Sequence, residues 1–481
     1  MKKLLLFLGL LFSITILKAQ TYVSGGIYSN TIWTKAASPY IVTDTVVVFP
    51  GVTLTIESGA TVKFTDTSCI EIREAKITAK GTATDSIIFT SNSLAKKGTI
   101  IINIGKTIDT NEFHFCKFDL LYIPIQYNYI SFSPLIVKNS SFTNNEYAIY
   151  QTGRYALIDS CYFKDNTTSI YFSESTLASS SVYVSNCIIQ NSWCGICGTG
   201  DQSIYKNILI DSVITGIVNT GGGLIEHCSI TNGEAGISNT IVPSLEHPGI
   251  TPSGHPVIKD CIIKNNSIVG IKVWEDTIIN CIIDSNGVGL FIRHHTYNNC
   301  IKQNSISYNA VGIHIKEYRN LDNIYCNKIC SNKNYDLFYN VPFGTNSSFP
   351  NNYFCTPDSA STRPKIFDGY IDIKYGLVNF MPLDTACYKA LGVKNLKQHQ
   401  QTTIKFYPNP FTQAATLEFE NPQNKSNQLR VFNTIGQLVL SIENIKGSQV
   451  IVDRKELQTG HYFYQLRNEE GVIGTGKMMI E

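Results

Sequence analysis

The sequence predicts an all-β chain: a right-handed parallel β-helix (solenoid) followed by a small C-terminal Ig-like β-sandwich. Three observations predict it: a phrase repeated every 20–26 residues, apolar alternation within each copy, and a change of text near residue 404. Composition agrees. Charged residues are 16% of the 481, well below the usual quarter, and hydrophobic residues are 43%. That is too apolar for a disordered chain, and too interrupted by Asn, Ser, Thr and Gly for a membrane bundle. A net charge of +2 argues against a protein defined by nucleic-acid binding. Fourteen cysteines are too sparse for a small disulfide scaffold.

Residues 1–19 read as a secretory signal peptide. Lys2 and Lys3 form a positive start, Leu4 to Leu17 an apolar run, and Ala19 a small residue before the cut. No later stretch is long enough to span a bilayer, so the mature protein is expected to have no transmembrane span. Residues 20–92 alternate cleanly, with Val52, Leu54 and Ile56, then Val62 and Phe64. Ser38-Pro-Tyr-Ile-Val-Thr, Gly51-Val-Thr-Leu-Thr-Ile, Gly81-Thr82 and Ile87-Ile88-Phe89-Thr90-Ser91 follow in order. This stretch resembles the N-terminal coils of secreted bacterial β-helix proteins.

The central region repeats one phrase: a small residue or Cys, any residue, an aliphatic or Phe, two polar residues, then Gly-Ile. Cys187-Ile-Ile189-Gln-Asn191 leads to Gly195-Ile196, Cys261-Ile-Ile263-Lys-Asn-Asn266 to Gly270-Ile271, and Asn304-Ser-Ile306-Ser-Tyr-Asn309 to Gly312-Ile313. The first positions fall at 116, 140, 161, 187, 208, 228, 261, 281, 304 and 327, so one spacing of 33 stands out. A fixed period in this range means a solenoid, and the period-2 pattern makes its elements strands. The long spacing holds residues 240–256, with four prolines and two histidines, which reads as a protruding loop.

Cys116, Cys161, Cys187, Cys228, Cys261 and Cys281 share one column, expected to be an inward stack of reduced thiols. Cys355 and Cys387 suggest a disulfide at the end of the solenoid. Trp193-Cys194-Gly195-Ile196-Cys197 mimics a thioredoxin-like motif, but its Gly-Ile belongs to the repeat and its Pro is missing. No redox role is expected.

If Ile271, Leu290 and Ile313 point inward, the residues one and three further on point outward. That predicts a basic, aromatic-flanked stripe of Lys272 and Trp274, Phe291 and Arg293, His314 and Lys316, continued by His294 and His295. Aromatic faces suit carbohydrate and cations suit uronate or sulfate. The expected function is recognition of an extended polysaccharide. The alternative is a polysaccharide lyase acting by β-elimination, with Lys272, Arg293, His314 or Lys316 as candidate catalytic groups. A second alternative is a structural adhesin without activity. Glycosidase chemistry lacks its facing carboxylates, since Glu275 and Asp276 are adjacent in sequence. No metal or cofactor is expected; scattered Asp and Asn could bind Ca²⁺, but no motif indicates it.

Lys365-Ile-Phe-Asp-Gly-Tyr, ending at Pro382, resembles the closing segment of the same β-helix group, which sets the helix at 20–383 and a linker at 384–403. From 404 to 481, alternating strands with Gly turns indicate a sandwich. Tyr407-Pro408-Asn409-Pro410, then Gly460 and Tyr462, then Gly476-Lys477 close the chain. This order resembles the type A C-terminal sorting domain of bacterial type IX (Por) secretion. The resemblance implies the type IX machinery as a partner, outer-membrane translocation, and release or attachment at the cell surface.

Overall fold

The computed structural model describes residues 20–103, 110–128, 134–151, 155–172, 181–198, 202–218, 221–238, 254–273, 276–293, 299–316, 323–342, 344–356, 358–384, 404–433, 438–455, 457–468 and 471–481. The signal at 1–19, most of the 240–256 loop, Trp274, His294, His295 and the linker with Cys387 lie outside them, as does the side chain of Arg293.

Each coil of the body contributes three short strands. Leu135–Lys138, Ser141–Thr143 and Tyr147–Gln151 make one coil; Tyr155–Asp159, Tyr162–Lys164 and Thr168–Phe172 make the next. Strands pair in parallel one coil on, Val137 with Ile158, Phe142 with Phe163 and Ile149 with Ile170. The stacks define a first, second and third face in chain order, and the first runs to 13 strands.

The repeat phrase is legible in this geometry. Its first and third positions are buried, as Cys161 and Phe163 show. Stacking like on like fills the axis: the rings of Phe89, Phe118, Phe142 and Phe163 lie parallel at 4.6–4.9 Å. Isoleucines then continue the column. The residues after the buried Ile or Phe make the corner before the third face. The one two places on, such as Asn191 or Asn265, has positive φ, which Asn tolerates best among residues with a side chain. The next turns inward to form an amide ladder, Asn266 to Asn286 at 2.9 Å, then to Asn309 and Asn332 at 3.0 Å each. The ladder supplies acceptors to corner amides that would otherwise be buried without one. Glycine opens the third strand because a Cβ on Gly236 would sit 2.5 Å from the carbonyl oxygen of Gly270 one coil on.

Cys116, Cys161, Cys187, Cys228, Cys261 and Cys281 are free and buried in their column. Burial pushes the thiols of Cys116, Cys187, Cys228 and Cys261 above the usual range, which keeps them protonated and inert. The expected partner of Cys355 needs correction. Cys355 is bonded to Cys330, because Tyr353 pairs with Lys328 and sets the two cysteines side by side. At the end of the third face Ile366 adds beside Leu337, and buried Asp368 takes the guanidinium of Arg363 at 2.6 Å.

The C-terminal module is a sandwich of two antiparallel sheets. Lys405–Tyr407, Ala414–Glu418 and Gln449–Asp453 form one; Asn427–Asn433, Leu438–Ile445, Gly460–Asn468 and Gly471–Ile480 form the other. Leu417, Leu429, Val431, Val452, Leu466 and Ile480 fill the space between them.

Candidate functional site

The third face carries the predicted stripe on its outer side. Ile271, Leu290 and Ile313 are inward and buried. One residue on, Lys272 pairs with Phe291, Phe291 with His314, His314 with Phe338, and Phe338 with Phe367. Arg293 pairs with Lys316. The strands therefore bring Lys272, Phe291, Arg293, His314 and Lys316 to neighbouring positions, while Trp274 lies outside the described residues.

The stripe is expected to point outward, and part of it is covered instead. Phe291 is 0% exposed and Lys272 only 4%. For Phe291 the reason is a second outward column. Ala235, Val269 and Val288 form, with Phe291, an apolar cluster separate from the axial core, and Ile268 and Val311 pack against it. The alternation slips at the glycine, so residues two before the inward Ile or Leu also leave the core.

From His314 onward the column is half-buried. The His314 ring meets Phe291 and Phe338 edge to face at 4.9 and 4.8 Å, and its Nε2 lies 3.0 Å from Asn340 Oδ1. Phe338 stacks on Phe367 at 4.3 Å, with Tyr335 against both rings. Phe338 could have been found from the sequence, since it follows Leu337 in the last repeat copy. Phe367 carried no repeat signal, because it arrives with the closing segment.

The decoy motif sits on the same side. Cys194–Cys197 is a strand, not a helix start, and its two cysteines are bonded to each other and packed against Val218 and Tyr171. The lowered thiol pKa of a redox site needs a helix N-terminus or a nearby cation, and among the described residues the next element is the strand Ile204–Lys206.

A charged cluster lies on the first face. Glu226 takes Lys259 at 2.8 Å and Lys206 at 3.2 Å. His227 reaches Glu226 at 3.6 Å and Asp260 at 4.0 Å. Burial opposes ionisation of Glu226, but the two lysines outweigh it and hold its carboxyl below the usual range. Glu226, His227 and Asp260 are the one group among the described residues whose donor atoms converge as metal ligands would.

Comparison with known proteins adds the following. Residues 405–481 match the family described as secretion system C-terminal sorting domain, and residues 124–298 match the right handed beta helix region. Residues 248–361 match a family described as periplasmic copper-binding protein (NosD). No curated protein matches the chain. Among solved structures, a periplasmic alginate epimerase AlgG mutant is 12% identical, with 74% of this chain and 76% of that one covered and a TM-score of 0.20. The Azotobacter vinelandii mannuronan C-5 epimerase AlgE6 A-module is 10% identical, with 65% and 88% covered and a TM-score of 0.20.

The repeat, the stacked parallel faces and the family match define a right-handed parallel β-helix repeat protein. Its C-terminal module makes it a type IX cargo, sent across the outer membrane to be secreted or held at the cell surface. No described helix is long and apolar enough to cross a membrane. In the module, Asn409 Oδ1 accepts from Met479 N at 2.7 Å and Asn409 Nδ2 donates to Lys477 O at 3.1 Å, which ties the Tyr407–Pro410 segment to the last strand. A side chain at Gly476 would strike the Tyr464 ring. The one convergent group among the described residues does not suit copper. Copper favours imidazole and soft sulfur, whereas the convergent group has one imidazole and two carboxylates, one of them already held by two lysines.

Proposed function

We propose that the outer side of the third face, around His314, recognises an extended acidic polysaccharide outside the cell. The observation that supports this is the half-open ladder of His314, Phe338 and Phe367, with Lys316 and Arg293 at neighbouring register positions. Aromatic faces offer flat apolar area to a sugar ring, and cations complement carboxylate or sulfate. A repeating ligand also suits a repeating surface, because successive coils present side chains about 4.8 Å apart.

The test is retention of the purified full chain on immobilised polygalacturonate, alginate and hyaluronate, with a neutral glucan as control. Salt-sensitive retention on at least one acidic polymer is expected, weakened at least tenfold by Phe338→Ala and by Lys316→Ala. Equal retention on the neutral glucan, or unchanged retention by both variants, would overturn the proposal. Unsaturated sugar products in the same incubation, lost in Lys316→Ala, would identify the lyase instead. No retention on any polymer would leave the structural adhesin.

A further inference from the structure

The same outer column carries a second aromatic platform that the predicted stripe does not include. Tyr150 follows inward Ile149, and Tyr171 follows inward Ile170, so both rings leave the core on the side that carries His314. Tyr150 and Tyr171 stack at 4.8 Å, and Tyr147 meets them edge-on at 5.9 and 6.1 Å. All three are half-buried. Trp193, 42% exposed, stands just before Cys194, which pairs with Thr168 and through it with Tyr147. The ion pair between Lys96 and Glu146 at 3.1 Å fixes the coil beside Tyr147.

Between the platforms the column closes. Cys197, Val218, Ser238, Lys272 and Phe291 are each 4% exposed or less. Six strand-to-strand steps separate Tyr171 from His314, or about 29 Å at about 4.8 Å per step. No single sugar ring touches both platforms.

We infer that the tyrosine platform is a second glycan subsite, and that one polysaccharide strand lying along the helix axis bridges it to the His314 platform. The inference rests on the glycan reading above. The two ends differ in chemistry. The His314 end has cations in register and takes acidic units; the tyrosine end offers the half-buried edges of its stacked rings, with exposed Trp193 beside them, and takes any sugar ring of suitable shape. Because the stretch between them is covered, affinity comes from the two ends, and the second contact is intramolecular once the first is made. Affinity should therefore rise in a step, not smoothly, when the oligomer becomes long enough to span both.

The experiment measures Kd by calorimetry for a ladder of oligomers, trimer to dodecamer, cut from whichever acidic polymer the chain retains. The parent chain should show weak binding for short oligomers and a jump of at least tenfold within one or two added units. Tyr150→Ala and Tyr171→Ala should abolish the jump, with Tyr150→Phe preserving it. Phe338→Ala should weaken every length. Thermal melts establish that each variant is folded. A smooth rise with length, or a jump that survives both tyrosine variants, overturns the second subsite while short oligomers still bind. If no oligomer of any length binds, the glycan reading itself falls.

Discussion

Two columns one residue apart on the third face behave oppositely. Inside run Ile149, Ile170, Ile196, Ile217, Ile237, Ile271, Leu290, Ile313 and Leu337, none more than 2% exposed. Outside, next in sequence, run Tyr150, Tyr171, Cys197, Val218, Ser238, Lys272, Phe291, His314 and Phe338. The inner column is monotonous because each side chain must pack on its own kind one coil away, and a change of volume is felt by both neighbours. The outer column meets that constraint only where it is packed, from Cys197 to Phe291, and it is not ordinary surface at its ends. It is aromatic at both ends and sealed in the middle. The aromatic bias at those half-buried ends is the feature on which the proposed glycan contact rests.

The sharpest way to break the contrast is to truncate neighbours. Ile313→Ala should cost about 2–5 kcal/mol, since it leaves a cavity between Leu290 and Leu337 that two coils cannot close. His314→Ala, one residue on, should cost about 1 kcal/mol and act instead on polysaccharide retention. Urea unfolding of both variants measures this, and equal costs would show that the outer column is structural.

The inner half of that contrast was legible in the sequence, and the outer half only in part. Period, alternation and the Asn-rich corners follow from backbone needs that recur in every coil, so ten copies repeat the same message. Positive φ favours Asn at 191 and 265, and close coil approach demands glycine at 236 and 270. The site has no such redundancy. Lys272 and Phe291 lie on the expected side, but Phe291 is covered by Val269 and Val288, which leave the core through the slip at glycine. Tyr150 and Tyr171 carry no charge, so the basic pattern that marks coils 271–316 does not reach them.

A middle-sized effect belongs to the corner ladder. Asn309 Oδ1 accepts from Asn286 N at 2.8 Å and from Asn286 Nδ2 at 3.0 Å, while Asn309 Nδ2 donates to Ile283 O at 3.1 Å. Asn309→Ala strands the buried amide of Asn286 and should cost about 1–3 kcal/mol. That places it below Ile313→Ala in the same urea series, and a neutral result would mean the ladder merely fills space.

The smallest effect, and the one that depends on pH, lies outside the core on the first face. Lys259 and Lys206 hold the Glu226 carboxyl below its ordinary value of 4.5, against the opposing effect of its burial. His227 and Asp260 border the same cluster. A carboxyl whose pKa is depressed on folding contributes stability that is fully present above its unfolded pKa. That contribution is lost as pH falls through the lower folded value. The wild-type chain should thus lose stability between about pH 4.5 and the folded pKa in a step that Glu226→Gln lacks. At neutral pH the variant is the less stable of the two, because its two lysines face an amide in place of a carboxylate. The gap between the curves should therefore narrow with acid. Parallel curves from pH 7 to pH 3 would show that the lysines are too well solvated for their pairing with Glu226 to matter, and that on this face, unlike the inner column, a buried contact carries no weight.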